Sequence, residues 1–215
     1  VTGVDDDRRS ALRLVPVSRE TETMFEAYVA LLRKWQGAKN LVGPSTLDTV
    51  WTRHIADSAQ LFALAPHARR WVDIGSGAGF PGLVLAIMGR SIPGFHVHLV
   101  ESNGRKCAFL REVIRSLGLP ATVHNGRIED VLDGLPTPVD VLTARALAPL
   151  PDLLRLGRKL LTTGSLGLFP KGQDLEDELT AAAKYWSIQS TTVASRTDAK
   201  GRILVVQSAE PRVVS

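Results

Sequence analysis

The 215 residues hold 44% hydrophobic side chains, 26 Lys+Arg against 22 Asp+Glu for a net charge of +4, and a single cysteine. This is the size of one large domain with its own core; it leaves no intramolecular disulfide and no multi-cysteine zinc site, and it permits an anionic partner without requiring one. No stretch approaches ~18 uninterrupted apolar residues and no apolar run follows a basic start, so neither a membrane span nor a secretory signal is expected, and a soluble, cytoplasmic protein is.

Residues 1–20 mix Asp5 to Asp7 with Arg8, Arg9 and Arg13 without a sustained period, and read as a mobile arm. "TETMFEAYVALLRKWQ" then places Phe25, Tyr28, Val29, Leu32 and Trp35 at helical spacing, one apolar stripe of an amphipathic helix that ends at Lys39, Asn40 and Gly43-Pro44. A second helix follows in "STLDTVWTRHIADSAQLF", opened by Ser45 and Asp48 in an arrangement like a capping box, with Leu47, Val50, Trp51, Ile55 and Phe62 as its apolar set. Residues 21–66 are thus N-terminal helices that pack on a core formed by 67–210.

From residue 70 short apolar runs, "RWVDI", "FHVHLVE", "ATVHN", "VDVLTA" and "GSLGLFP", alternate with helical stretches such as "GRKCAFLREVIRSLG" and "PLPDLLRLGRKLL". Strand and helix in turn predict an α/β domain with a parallel, doubly wound sheet. The last two β-rich runs, "SIQSTTVAS" and "GRILVVQSAE", are separated only by "RTDAK". So short a link holds no crossover helix, and an antiparallel hairpin is expected to close the sheet.

"GAGFPG" at 77–82 matches the G-x-G-x-x-G of a dinucleotide-binding turn, but Gly75 already follows the first strand. Counted from Gly75 the third glycine position falls on Phe80; counted from Gly77 the pattern fits and comes two residues late. The loop anchored on the strand is therefore "GSGAGFPG", whose glycines bring backbone amides close to a ligand. Asp73, just before it, is expected to hold the loop or to accept from an ammonium group. That carboxylate disfavours a pyrophosphate and favours S-adenosylmethionine, with an NAD-dependent oxidoreductase as the rival. Glu101, ending the second strand, suits two ribose hydroxyls, and "NGRIED" offers Ile128 as an apolar wall and Glu129 or Asp130 for an adenine amino edge.

"NLVG", "RHIADS", "DIGSGAGFPGLVLAI", "VESNGRKCAFLREV", "GRIED", "TARALAPL", "FPKG" and "GRILVVQ", spread over residues 40–207, resemble in order and spacing the bacterial 16S ribosomal RNA guanine-N(7) methyltransferases. The resemblance implies a Rossmann-like class I S-adenosylmethionine-dependent methyltransferase, with a mostly parallel seven-stranded sheet, an antiparallel C-terminal hairpin and an N-terminal helical extension. It implies cofactor residues at Gly75, Phe80, Ile128, Glu129 and Arg145; Asp73, Gly77, Gly79 and Glu101 join them from the argument above. The partner it implies is 16S ribosomal RNA or the small ribosomal subunit, met by a monomer, with another RNA as the alternative substrate.

Guanine N7 attacks through a lone pair and has no proton to lose, so the reaction needs no general base. It needs alignment, worth roughly 7 to 11 kcal/mol. Cys107 reads as a buried helix residue rather than the nucleophile a 5-methylcytosine enzyme requires, and "TARALAPL" stands where an amino-directed enzyme carries an Asn/Asp-Pro-Pro-aromatic loop. Arg145 is expected to meet the guanine or its phosphate and, with Lys171, to carry the catalytic role. Arg53, His54 and Lys171 are expected on an RNA-facing rim, Arg105 and Lys106 on a solvated helix face. His54 and Asp57, one turn apart, are expected to bond each other, and His67, His96, His98 and His124 lack a metal-ligand spacing.

Overall fold

The computed structural model describes residues 2–39, 41–43, 46–136 and 138–212. Its sheet has seven strands in the order β3-β2-β1-β4-β5-β7-β6: β1 Arg70–Ile74, β2 His96–Glu101, β3 Ala121–Asn125, β4 Val141–Thr143, β5 Leu166–Lys171, β6 Trp186–Ala194 and β7 Arg202–Pro211. β1 to β5 pair in parallel, and β6 and β7 form the expected antiparallel hairpin, β7 also running antiparallel to β5.

Alternation along β1 divides the core. Trp71 faces one side with α2 (Arg19–Lys39), α4 (Gly82–Met88) and α5 (Gly104–Leu117), where Phe25, Tyr28, Leu83, Phe109 and Leu110 are buried. Val72 and Ile74 face the other side, with α6 (Ile128–Gly134), α7 (Leu150–Thr162) and α8 (Leu175–Ala182), where Leu132, Leu153, Leu154 and Leu175 are buried. The parallel strands are covered on both faces, which is why their sequences are apolar runs rather than strict alternations. α5 is closed at both ends by local chemistry. The Asn103 side chain accepts from the amides of Arg105 and Lys106, and Gly118 ends the helix in the left-handed region at φ 59°.

The expected stripe of α2 is present: Phe25, Tyr28, Val29 and Leu32 are buried and Trp35 packs against the same core. Residues 50–64 are helical but irregular. Trp51–Ala56 is a π-helical turn, Asp57–Ala59 is α-helical (α3) and Gln60–Leu64 is a 3₁₀ turn. Asn40, Pro44 and Ser45, expected to end one helix and cap the next, lie outside the described residues.

Residues 2–14 correct the expectation of a mobile arm. They form a helix, α1 (Thr2–Leu14), that buries Ala11 in the core. Its Arg8 pairs with Glu22 and Glu26 of α2 and lies 5.7 Å above the Trp51 ring. The Asp7 carboxylate accepts from the Trp51 amide at 2.8 Å and the Thr52 amide at 3.2 Å. It satisfies amides that open the 51–64 rod, as a capping side chain does from within a helix's own sequence.

Candidate active site

The carboxyl ends of the parallel strands face a groove of about 1360 Å³, floored by the loop after β1 and walled by the 51–64 rod, the 145–149 loop and the β6–β7 loop. A single small-ligand site takes about 300–1,000 Å³, so the groove has room for a cofactor and a base side by side.

Gly75, Gly77 and Gly79 adopt φ values of 67°, 57° and 95°. The turn therefore begins at Gly75, as reading from the strand requires, and three successive odd positions sit in the region that favours glycine. A Cβ on Gly75 would lie 2.5 Å from Leu147 Cδ1, whereas one on Gly77 would meet nothing nearer than 3.8 Å. The open space is at Gly77, on the groove side. Tyr28 of α2 donates its hydroxyl to the Ala78 carbonyl at 2.6 Å and pins the loop from beneath. Sequence reasoning took Tyr28 only as a core residue, since a phenol in an apolar stripe carries no mark of what its hydroxyl meets.

Asp73 is fully buried and does not line the groove. Its Oδ2 accepts from the Gly82 amide at 3.1 Å while Oδ1 has no partner. Of the two roles expected of it, this is the geometry of holding the loop; no direct contact with a ligand ammonium is built here. Burial is the main cause that raises its carboxyl from 3.8 to about 7, against the lowering effect of the Gly82 amide. A raised folded-state value makes the buried charge a cost above about pH 7 that fades as pH falls towards 3.8. Asp73→Asn is therefore expected to raise the melting temperature more at pH 8 than at pH 5, measured by thermal denaturation at the two values.

Glu101, at the end of β2, accepts from the Gly77 amide at 2.9 Å through Oε2 and from the Asn103 amide at 2.7 Å through Oε1. Each oxygen keeps a lone pair. The acid thus stands against the loop at the carboxyl edge expected of it. Ile128 opens α6, partly buried against the second core, and Glu129 beside it is exposed and 3.6 Å from Arg155. Neither lines the groove, nor do Gly79 and Glu101, whereas Gly75, Gly77, Phe80 and Arg145 do.

Phe80 is a pillar of the groove. Its ring stacks on the His54 imidazole with centroids 4.8 Å apart, lies 5.3 Å from Tyr28, and carries the Arg145 guanidinium 5.3 Å above it. Arg145 Nη1 donates to the Arg53 carbonyl at 2.9 Å and to Asp57 Oδ2 at 3.3 Å, and Nη2 lies 2.5 Å from His54 Nδ1. The expected His54–Asp57 bond is not formed. Both side chains turn instead to Arg145, whose fork bridges them, and Asp57 Oδ1 accepts from Thr197 and Gln60.

Burial first, then the charges of Arg145 and Arg53, lower the His54 pKa to about 3. The ring is neutral at ordinary pH. With Arg145 able only to donate, Nδ1 is the acceptor and Nε2 carries the proton towards Thr46 Oγ1, 3.0 Å away. A depressed value means that the unfolded chain takes up a proton near pH 6.5 and the folded one does not. Stability from this site is complete above about pH 6.5 and is lost by at most about 1.4 kcal/mol per pH unit as pH falls towards 3. His54→Asn is expected to flatten the fall of melting temperature between pH 6.5 and 4.5 relative to the unmodified chain; equal slopes would remove His54 as its source.

Lys171 ends β5 rather than following it, and its ammonium is engaged. Nζ donates to Glu178 Oε2 at 2.6 Å and to the Ala148 carbonyl at 3.2 Å, and Glu178 Oε2 also accepts from the Leu150 amide at 2.6 Å. Lys171 lines the groove but is spent on holding the 145–149 loop to α8. Of the other expected cations, Arg53 lies exposed on the rim, and Lys106 in the first turn of α5 also lines the groove. Cys107 is buried on α5 with its thiol directed at the Glu101 carbonyl. His98 and His124 pair across β2 and β3, and no group of three or more metal-ligating side chains is found among the described residues.

The family model for rRNA small subunit methyltransferase G, also called GidB, matches residues 21–205. The chain belongs to this family. It is 57% identical over 192 residues to the ribosomal RNA small subunit methyltransferase G of Methylorubrum populi, covering 89% of this chain and 90% of the relative. To the protein of the same name in Bradyrhizobium diazoefficiens it is 55% identical, covering 96% and 79%. Among solved structures, the O-methyltransferase from Bacillus cereus in complex with SAH superposes with a TM-score of 0.61 at 16% identity over 96% of this chain and 99% of that one. The O-methyltransferase TomG of Streptomyces achromogenes gives 0.61 at 15% identity over 96% and 97%. At such identities these two speak for the fold alone: a Rossmann-like class I methyltransferase with a C-terminal antiparallel hairpin, as expected for the family.

Proposed function

We propose that this member of the GidB family transfers the methyl group of S-adenosylmethionine to N7 of a guanine in 16S ribosomal RNA, acting as a monomer on the small subunit in the cytoplasm. The observation that carries the reading is the Arg145 fork, held over Phe80 beside the glycine loop in one groove. Family membership supports the methyl donor and the class of RNA. Among the described residues no helix is long and apolar enough to cross a membrane.

The residues fit the donor. The backbone turn at Gly77 is open where a side chain would stand, and the Glu101 carboxylate is braced by two amides with lone pairs remaining for ribose hydroxyls. Ile128 and Glu129 at the start of α6 are the proposed adenine neighbours. When bound, the cofactor supplies an electrophilic methyl group on a sulfonium. The chain's own work is orientation: the 75–79 loop sets one face of the groove, Arg145 orders the base or its phosphate on the other, and Lys171 fixes the loop that carries Arg145 by pairing with Glu178. No side chain has to remove a proton, and the neutral His54, with Nδ1 turned to Arg145, is a strut rather than a base. Arg53 and Lys106, on the groove rim, are the proposed contacts for RNA, while His54, expected there, is buried behind them.

Methyl transfer from labelled S-adenosylmethionine to small subunits lacking the modification, run beside naked RNA, is expected to yield 7-methylguanosine on nucleoside mass spectrometry. A thermal shift with NAD and none with adenosylhomocysteine would overturn the reading. RNA binding is expected to weaken steeply between 50 and 200 mM salt, by a factor set by the number of phosphates neutralised.

A further inference from the structure

Arg145 lies in the groove with 17% of its side chain exposed, and Asp57 opposite it with 19%. The carboxylate is doubly engaged. Oδ2 takes the guanidinium at 3.3 Å, while Oδ1 accepts from the Thr197 hydroxyl at 2.8 Å and Gln60 Nε2 at 3.0 Å. Gln60 in turn accepts from the Arg196 amide at 2.9 Å and donates to Ser195 Oγ at 3.2 Å. One carboxylate thus ties three separate pieces of the groove wall: the 51–64 rod, the loop after β4 and the loop joining β6 to β7.

We propose that Asp57 is the positioning residue for Arg145, holding its guanidinium in one pose and balancing its charge where the methylated base becomes cationic. The proposal rests on the reading of Arg145 as the residue that orders the target guanine. Three features of the site support it. The fork's other contacts are neutral, the Arg53 carbonyl on Nη1 and His54 on Nη2, so Asp57 is its only anionic partner among the described residues. Phe80 fixes the height of the guanidinium but, being a ring face, not its rotation in plane. In that plane Asp57, anchored through Oδ1 to Thr197 and Gln60, adds the charged contact to Nη1 beside the Arg53 carbonyl and His54. Moreover, transfer moves positive charge from the sulfonium onto the guanine. An unpaired guanidinium beside that base would oppose the transfer, and a paired one opposes it far less.

The β6–β7 loop is part of the same device. Thr197 reaches Asp57 from a loop whose Asp198, Ala199 and Gly201 also line the groove, with Arg202 lining it at the start of β7. A shift of this loop when RNA settles on it is transmitted through Thr197 to the carboxylate that aims Arg145.

The test uses the full chain with small subunits lacking the modification. Asp57→Asn keeps the size of the side chain and loses its charge. At saturating cofactor and subunit it is expected to slow single-turnover transfer roughly tenfold to a hundredfold, the scale of a misplacement near 1 Å. Its dissociation constant for adenosylhomocysteine is expected to stay within about twofold, and Asp57→Glu to recover part of the rate. Thr197→Val, which removes one support and leaves the carboxylate, is expected to cost a few-fold. In an Arg145→Ala background, followed with excess enzyme over long times, Asp57→Asn is expected to add little further loss, because it acts through Arg145. Full activity of Asp57→Asn, or an undiminished loss in the Arg145→Ala background, overturns the proposal while leaving the methyl-transfer reading intact. No transfer by the unmodified chain overturns that reading and this proposal with it.

Discussion

Arg145→Ala is expected to lower kcat/KM for methyl transfer by about 10²-fold, the scale of misplacing a reacting group by about 1 Å, because the guanidinium orients the base rather than stabilising its developing positive charge. The loss is expected chiefly in kcat, because the side chain is already ordered before substrate arrives by Arg53, His54, Asp57 and the face of Phe80. Arg145→Lys is expected to fare little better. A lysine keeps one charge but cannot reach a carbonyl, a carboxylate and an imidazole from a planar fork over a ring. Steady-state kinetics on small subunits, with adenosylhomocysteine affinity measured separately, checks both variants. Transfer within about threefold of the unmodified chain in Arg145→Ala would remove Arg145 from the mechanism.

Gly82→Ala is expected to damage the fold severely. A Cβ there would fall 2.7 Å from Asp73 Oδ2 and closer still to Leu99 Cδ2, and neither neighbour can withdraw, since both lie in the fully buried centre of the sheet. The amide of Gly82 also donates to the Asp73 side chain. Overpacking costs about 1–3 kcal/mol and more where the neighbours are fixed, and pushing α4 off β1 adds the loss of this bond. A destabilisation of about 3 kcal/mol or more is expected on urea denaturation. Gly77→Ala is the control. It meets open space and faces only a φ of 57°, so a cost near 1–2 kcal/mol is expected, with the larger effect falling on cofactor affinity. If Gly77→Ala proved the less stable of the two, the assignment of Gly82 to helix packing and Gly77 to the groove would be reversed.

Much of this arrangement is legible in the sequence where the chemistry is local. β1 coincides with "RWVDI" and the final hairpin follows from a link too short for a helix. The positive φ values of Gly75, Gly77 and Gly79 agree with a turn anchored on the strand end rather than on the later dinucleotide register. What the sequence conceals is pairing across distance. Asp57 and His54 are close neighbours along the chain, which suggested that they bond each other, yet their partner is Arg145, about ninety residues on. Lys171 reads as a free cation at a strand end because nothing in "FPKG" announces that Glu178, a turn into the next helix, lies against it. Asp73 reads as either a loop brace or a ligand contact, and its burial beneath Gly82, which favours the brace, depends on how α4 settles on the sheet. α1 escapes notice for a related reason. Its polar residues form no long apolar stripe, and it is held by ion pairs and by a cap given to a distant helix.

That cap has a further consequence. α1 spans Thr2–Leu14, so the carboxylate that caps the start of the 51–64 rod comes from a helix 44 residues earlier in the chain. The rod carries Arg53, His54 and Asp57, and through them the pose of Arg145. The first helix of the chain is thereby coupled to the pose of Arg145: loosening Asp7 from the Trp51 and Thr52 amides loosens the wall that holds the guanidinium.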